Sequence, residues 1–266
     1  MQSKPNLVPG ESSETPATSS NAALSEPGEG ITLSVVIPAY NEEESIEACV
    51  REVAGVLEGV GGGHEILVVD DGSSDDTFQI LRKLRQEIPC LRVIRFARNC
   101  GQTAAFDAGF KAAAGKVVAT MDADLQNDPA DIPKMLALMD RWDVVCGVRQ
   151  KRRDSLVRRM SSRIANAVRN RMTGDSIRDV GCSLRAMRAE CLAGLKLYDG
   201  MHRFLPTLLK WDGWRVTEAP VNHRPRRWGK SKYGVRNRLF RGLRDLMAVR
   251  WMRSRWLRYE IEEENP

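Results

Sequence analysis

Histidine is scarce in this chain, with three residues in 266, and the six cysteines form no C-x-x-C pair. His64, His202 and His223 stand at no metal-ligand spacing from one another or from Cys49, Cys90, Cys100, Cys146, Cys182 and Cys191, which argues against a zinc site. The scattered cysteines read as reduced thiols of a cytosolic protein. No stretch reaches the ~18 consecutive apolar residues of a membrane-spanning helix, so the chain is expected to be soluble or to lie on a membrane surface. No G-x-G-x-x-G follows the first strand. Gly229-Lys-Ser231 resembles the end of a P-loop, but Arg224 occupies the place of its first glycine and no apolar strand ends directly before it. Hydride transfer with a dinucleotide and nucleoside triphosphate hydrolysis both lose support.

The chain does contain enough apolar residues, 42 %, for one α/β domain with a full core or for two small ones. The net charge of +6 favours polyanionic partners without choosing among nucleotides, nucleic acid and an anionic membrane face. Residues 1–30, rich in Ser, Pro, Glu, Thr and Ala, hold no secretory apolar run and are expected to be a disordered tail. From Leu33 onward, short β-branched runs alternate with helical stretches, the pattern of a parallel sheet covered by helices on both faces. Strands are expected at Leu33 to Ile37, Glu65 to Val69, Leu91 to Phe96, Val117 to Thr120, Val144 to Gly147 and Trp214 to Glu218. Helices are expected at Glu42 to Glu58, Asp75 to Glu87, Gln102 to Ala114 and Pro129 to Arg141, with Asp128 as a cap, and a basic helix at Ser155 to Arg171. Tyr233 to Tyr259 reads as a basic amphipathic helix, in which Leu239, Phe240, Leu243, Leu246, Met247, Trp251 and Trp256 interleave with arginines.

The polar signatures sit directly after the strands. Asp122 and Asp124 flank Ala123 at a strand end, where two carboxylates can share one Mg²⁺ or Mn²⁺ with phosphate oxygens, because hard cations prefer oxygen ligands. An isolated D-x-D is usually a solvated turn, so the surrounding sequence must carry the argument. Asp70 and Asp71 follow Ile66-Leu-Val-Val69, at the top of a buried strand, where unpaired charge is costly unless it serves a polar ligand such as a nucleoside. The alternative is a loop that caps the next helix through Asp75 or Asp76. Ligands of open parallel sheets lie outside the carboxyl ends of the strands, so these loops and the one at Pro38 are expected to converge on one crevice.

Five motifs in order, Pro38-Ala-Tyr-Asn-Glu-Glu43, Val68-Val-Asp-Asp-Gly-Ser73, Arg98-Asn-Cys-Gly101, Asp122-Ala-Asp-Leu-Gln126 and Asp179-Val-Gly-Cys182, resemble those of family 2 glycosyltransferases. The closer likeness is to the dolichol-phosphate mannosyltransferase and polyprenyl-phosphate sugar synthase branch, over about residues 31–232. The resemblance implies a GT-A nucleotide-sugar-binding α/β fold with a mostly parallel central sheet, residues 31–232 as the catalytic domain and 233–266 as the amphipathic helix with an acidic end. It assigns Pro38, Tyr40, Glu42 and Asp71 to the donor's base and ribose. Asp122, Ala123, Asp124 and Gln126 would form the diphosphate site, with Asp122, Asp124 and Gln126 on the metal. Arg149 and Arg163 would hold phosphate near the acceptor, and Arg226 and Lys232 would contact the donor diphosphate. Arginine forks grip phosphate bidentately and lysine adds a point charge, which suits these assignments.

The implied reaction is an inverting transfer of one sugar from GDP-mannose or a UDP-hexose to a polyprenyl or dolichyl phosphate, with the catalytic weight on Asp124 and Arg149. A lipid phosphate arrives ionised and needs no strong base, whereas for a saccharide or protein hydroxyl Asp179 is the first candidate base. The absence of Q-x-x-R-W, a mark of processive synthases, fits single-sugar transfer. Many bacterial members continue into membrane-spanning helices. Here the 233–259 helix is expected to lie in the cytoplasmic membrane interface or to bind the catalytic domain or a membrane partner subunit. Two remoter readings are a nucleotide-sugar sensor and a nucleic-acid binder. The second leaves the four aspartates without a purpose, and no nucleic-acid partner is expected.

Overall fold

A computed structural model describes residues 30–150, 166–225 and 235–255, with the backbone alone for 235–241. The expected N-terminal tail, Arg163 with the first part of the basic helix, Arg226, Lys232 and both ends of the 233–259 helix lie outside the described residues. The elements in chain order are β1 (Ile31–Ala39), α1 (Ile46–Leu57), β2 (Gly63–Asp70), α2 (Thr77–Glu87), β3 (Leu91–Arg95), α3 (Gln102–Ala112), β4 (Val117–Thr120), α4 (Ile132–Leu136) and β5 (Val144–Arg149). They continue with helical residues 166–173 (α5), then β6 (Arg185–Arg188), α6 (Ala189–Leu192), α7 (Leu205–Trp211), β7 (Val216–Val221) and α8 (Val235–Ser254).

The strands form one seven-stranded sheet in the order β3-β2-β1-β4-β6-β5-β7. β1 pairs in parallel with β2 and β4, β2 with β3, and β5 with β7, while β6 runs antiparallel to both β4 and β5. The mostly parallel sheet expected from the sequence is present. A strand at β6 was not among the expectations, because Arg185-Ala-Met-Arg188 has no β-branched or aromatic residue and owes its extended form to the two neighbours it bridges. The single helix expected from Pro129 to Arg141 is instead a 3₁₀ turn at Pro129–Asp131 followed by the five residues of α4. Beyond it, i→i+3 bonds from Leu138 N to Met135 O and from Met139 N to Leu136 O tighten the chain out of α-helical pitch.

Successive strand residues point to opposite faces, and each face has its own core. Val35 and Ile37 pack with Ile46, Val50, Leu81 and Leu84 of α1 and α2, whereas Val36 and Leu67 pack with Phe106 of α3 and Leu205 of α7. Gly109 of α3 lies against Val36, where any side chain would collide. A third cluster joins α8 to the body, with Leu246 and Val249 seated on Met201, Phe204 and Leu208. No helix among the described residues is long and apolar enough to cross a membrane.

At the end of the sheet away from the crevice, the buried Glu65 carboxylate ties three strands and a loop together. It accepts from Ser34 Oγ (2.5 Å), Arg92 Nη1 (2.5 Å) and Ala114 N (2.7 Å), and Ser34 Oγ in turn accepts from Gly115 N at 2.8 Å. Arg92 Nη1 also donates to the Ala112 carbonyl at 3.0 Å, whereas Ser34 Oγ and Ala114 N donate to Glu65. Glu65→Ala is expected to cost roughly 3 kcal/mol in urea unfolding, as when one partner of a buried ion pair is removed. A loss below about 0.5 kcal/mol, the scale of an ordinary surface change, would show that the network does not hold the sheet.

Candidate active site

The strand order reverses between β1 and β4, with β2 and β3 to one side and β6, β5 and β7 to the other. A crevice opens at such a reversal beyond the carboxyl ends of the strands. Pro38 lies in β1 opposite Val69 of β2, and Tyr40 and Glu42 follow in the loop to α1. That loop is stitched to the one after β2. Asn41 N donates to Ser73 Oγ at 2.9 Å, Glu42 N to Thr77 Oγ1 at 2.8 Å, and Ser74 N to Asn41 Oδ1 at 2.8 Å. Asn41 itself takes a left-handed φ of 51°, a conformation asparagine tolerates better than most residues. Beside this seam, Gly72, Ser73, Arg95, Phe96 and Ala97 line a cleft of about 470 Å³. Gly72 (φ 68°) sits so close to Arg98, whose Cα would be 2.8 Å from an added Cβ, that no side chain fits.

The two aspartates after β2 have different surroundings. Asp70, fully buried, accepts from Ser73 N at 3.0 Å, and Arg95 Nε lies 3.3 Å from its other oxygen. Asp71 turns toward the Asn99–Gly101 turn. It accepts from Cys100 N (2.6 Å), Gly101 N (2.9 Å) and Asn99 Nδ2 (2.8 Å). Burial still pushes its pKa up, although the two backbone N–H groups pull the other way. The Asp71 carboxylate, assigned to the donor by resemblance, therefore holds the turn that starts α3.

The next residue of that turn reaches the D-x-D. Gln102 Nε2 donates to Asp122 Oδ1 at 2.8 Å, and Ser183 Oγ donates to Asp122 Oδ2 at 2.7 Å. Asn127 Oδ1 accepts from Asp122 N at 3.2 Å, which closes the loop on itself. Burial and the nearby charge of Asp124 push the Asp122 pKa up to about 6, while Ser183, Arg185 and Arg149 oppose the shift. Asp124 Oδ1 accepts from Gln126 N at 3.1 Å, across Leu125 in a left-handed φ of 60°. A buried leucine rarely adopts that conformation, and such strain concentrates at functional sites. Ala123 is buried between the two aspartates.

Arg149, at the end of β5, is paired bidentately with Asp179, with Nε to Oδ2 and Nη2 to Oδ1 both 2.8 Å. A carboxylate so engaged is a poor proton acceptor, and as placed Asp179 orients the guanidinium. Gly181 makes room for it, because a Cβ there would lie 2.8 Å from Nη2. Gln102, Ser183, Asn127 and Arg185 were not singled out from the sequence. Gln102 and Ser183 each follow directly on a motif that was, Arg98–Gly101 and Asp179–Cys182. His202 Nδ1 lies 2.6 Å from Thr103 Oγ1, and burial pushes its pKa down to about 3, which keeps the ring neutral. All six cysteines are free, and Cys49, Cys146, Cys182 and Cys191 are buried.

No group of three or more His, Cys, Asp or Glu able to hold a metal ion occurs among the described residues. A divalent cation would nevertheless suit Asp122 and Asp124, two carboxylates whose mutual repulsion it would relieve and whose oxygens are the donor type such ions prefer.

The sheet, the reversal and the paired aspartates define a GT-A nucleotide-sugar fold. The chain belongs to glycosyl transferase family 2, whose model matches residues 34–195. It is 41 % identical over 230 residues to dodecaprenyl-phosphate galacturonate synthase of Rhizobium johnstonii, covering 84 % of this chain and 68 % of that one. It is 42 % identical over 203 residues to undecaprenyl-phosphate 4-deoxy-4-formamido-L-arabinose transferase of Salmonella paratyphi A, covering 76 % of this chain and 62 % of that one. Among solved structures it shares the fold of glucosyl-3-phosphoglycerate synthase from Mycobacterium tuberculosis in complex with Mn²⁺, UDP and glucosyl-3-phosphoglycerate. The TM-score is 0.60 at 22 % identity, over 82 % of this chain and 78 % of that one.

The raised Asp122 pKa has a measurable consequence. Its unfolded value is 3.8 and its folded value about 6, so protonation stabilises the fold fully below about pH 4, and that stability is lost as pH rises through about 6. Without metal, Asp122→Asn is expected to melt several degrees above the wild type at pH 7 and level with it near pH 4. Equal melting temperatures at both pH values would contradict the assigned strain.

Proposed function

We propose that the chain transfers a single sugar, with inversion, from GDP-mannose or a UDP-hexose to a polyprenyl or dolichyl phosphate at the cytoplasmic face of a membrane. The observation that carries the reaction class is the Asp122–Asp124 pair at the end of β4, buttressed by Gln102 and Ser183 and lying within the positive field of Arg149 and Arg185. The nucleoside fits the cleft beside the stitched loops, between Ser73 and Phe96, with Pro38, Tyr40 and Glu42 on its other side. Asp71 acts by shaping that cleft.

Asp122, Asp124 and Gln126 would hold Mg²⁺ or Mn²⁺, which when bound neutralises charge on the departing nucleoside diphosphate. The acceptor's phosphate oxygen attacks the anomeric carbon as the bond to the diphosphate oxygen breaks, and the nucleoside diphosphate leaves with both electrons of that bond. Arg149, held in plane by Asp179, presents its remaining N–H groups to the acceptor phosphate. Arg163, Arg226 and Lys232 are assigned to phosphate by family resemblance alone.

The base proposed for a hydroxyl acceptor, Asp179, has both carboxylate oxygens engaged by Arg149. This supports an acceptor that arrives already ionised, as a lipid phosphate does. The two curated relatives, named for dodecaprenyl and undecaprenyl phosphate, support the same class.

Purified protein incubated with Mn²⁺, radiolabelled GDP-mannose, UDP-glucose or UDP-GlcNAc, and a polyprenyl phosphate is expected to carry label into the organic phase. Asp124→Ala is expected to lower that transfer on the order of 100-fold or more, since it removes a charge-stabilising ligand. Label that stays aqueous with every lipid phosphate, yet appears on a saccharide hydroxyl, would overturn the acceptor assignment.

A further inference from the structure

Asp122 and Asp124 are braced from different directions. Asp122 is met by Gln102 and Ser183, which lie at the start of α3 and just before β6. Asp124 accepts from the amide of Gln126 in its own loop, at 3.1 Å. The carbonyl of the same Gln126 accepts from Arg224 N at 2.9 Å. One residue therefore ties Asp124 to a segment that arrives from the edge of the sheet.

That segment leaves β7 at Val221 and crosses the chain beyond the D-x-D. Asn222 N donates to Asp131 Oδ2 at 2.6 Å and its Nδ2 to Oδ1 at 3.3 Å, and His223 pairs antiparallel with Asn127. The Arg224 guanidinium then forks onto Glu52 of α1, with Nη1 to Oε2 at 2.8 Å and Nη2 to Oε1 at 2.7 Å. Nη2 also lies 2.8 Å from Oδ1 of Asp128, the carboxylate that accepts from Ala130 N at the 3₁₀ turn. A lone exposed ion pair contributes little, but a planar fork shared by two carboxylates fixes its own position and theirs. Lysine, with a point charge and no fork, cannot repeat it.

We propose that Arg224 is a positioning residue for the metal site. Its backbone N–H orients the Gln126 peptide that holds Asp124, and its side chain, clamped between Glu52 and Asp128, keeps that backbone in place. The guanidinium is spent on carboxylates, in contrast to the phosphate role that family resemblance gives Arg226. The purpose of the clamp rests on the nucleotide-sugar reading, whereas the clamp itself can be measured without any ligand.

Charge and position predict different results. Arg224→Ala removes a positive charge and Glu52→Ala a negative one, so a field effect on an anionic Mn²⁺–nucleotide complex would have opposite signs in the two variants. Loss of the clamp weakens binding in both. The test is Mn²⁺–UDP and Mn²⁺–GDP affinity, with amide exchange at Gln126 followed by NMR, in Arg224→Ala, Arg224→Lys and Glu52→Ala. Arg51→Ala, which removes exposed pairs with Glu47 and Glu87 from the same helix, is the control.

Affinity is expected to fall about ten-fold in Arg224→Ala, in the same direction in Glu52→Ala and Arg224→Lys, and to stay unchanged in Arg51→Ala. The Gln126 amide should exchange about ten-fold or more faster in Arg224→Ala, since its bond to Asp124 opens more often. Affinity that falls in Arg224→Ala but rises in Glu52→Ala would assign the effect to charge and overturn the positioning role. Wild-type affinity and exchange in Arg224→Ala would overturn it as well. A wild-type protein that binds no Mn²⁺–nucleotide pair would instead sink the enzymatic reading, and the Gln126 exchange rate would then decide the clamp alone.

Discussion

The crevice depends on one buried carboxylate. Asp71 is 3 % exposed and sits at the end of the central parallel strands, where an ionised group is costly unless it is surrounded by donors. The donors come from Asn99, Cys100 and Gly101, and their convergence forces the chain after β3 to wrap back over β2 before α3 begins. Gly101 enters α3 at a φ of 93°, a conformation glycine adopts without cost, and this sets where Gln102 stands. Gln102 then meets Asp122. A single polar saturation thus links the ends of β2 and β4, the two strands whose acidic loops face each other across the crevice.

The other half of the site is arranged to tolerate negative charge. Asp122 and Asp124 repel each other, and the positive groups near them, Arg149 and Arg185, are held back by bonds of their own. Arg149 is forked onto Asp179, and Arg185 donates to the carbonyls of His202 and Val180. Neither guanidinium forms a direct ion pair with Asp122 among the described residues, so they make the crevice less negative without neutralising the aspartates. A site of this kind can hold a cation and the phosphates it accompanies together.

Much of this was legible in the sequence because the parallel strands β1 to β5 are short β-branched runs, each ended by a polar motif at the carboxyl end where ligands bind. The switch-point crevice follows from that pattern. β6 escaped because its extended form is imposed by neighbours and not by its own residues. The turn at Pro129–Asp131 escaped because helical periodicity does not distinguish α from 3₁₀ pitch over so few residues. The roles of Asp71 and Asp179 are also tertiary facts. Both stand in motifs that point at ligands, and only the fold shows that their carboxylates are spent on Cys100, Gly101 and Arg149. Leu243, Leu246, Met247 and Trp251 of α8 were visible as one mixed list, and packing alone separates the buried Leu246 from the exposed others.

In the proposed function, Gln102, delivered by the Asp71 turn, holds Asp122 ready for a cation and a diphosphate. Titration of Mn²⁺ by electron paramagnetic resonance, with UDP and with GDP in separate series, tests it without turnover. Loss of a buttressing partner commonly weakens a metal site about ten- to a hundred-fold, so Gln102→Ala should bind the Mn²⁺–nucleotide pair at least about ten-fold more weakly while its fold is unchanged. Wild-type affinity in Gln102→Ala, alongside lost binding in Asp124→Ala, would show that the metal site does not depend on the turn.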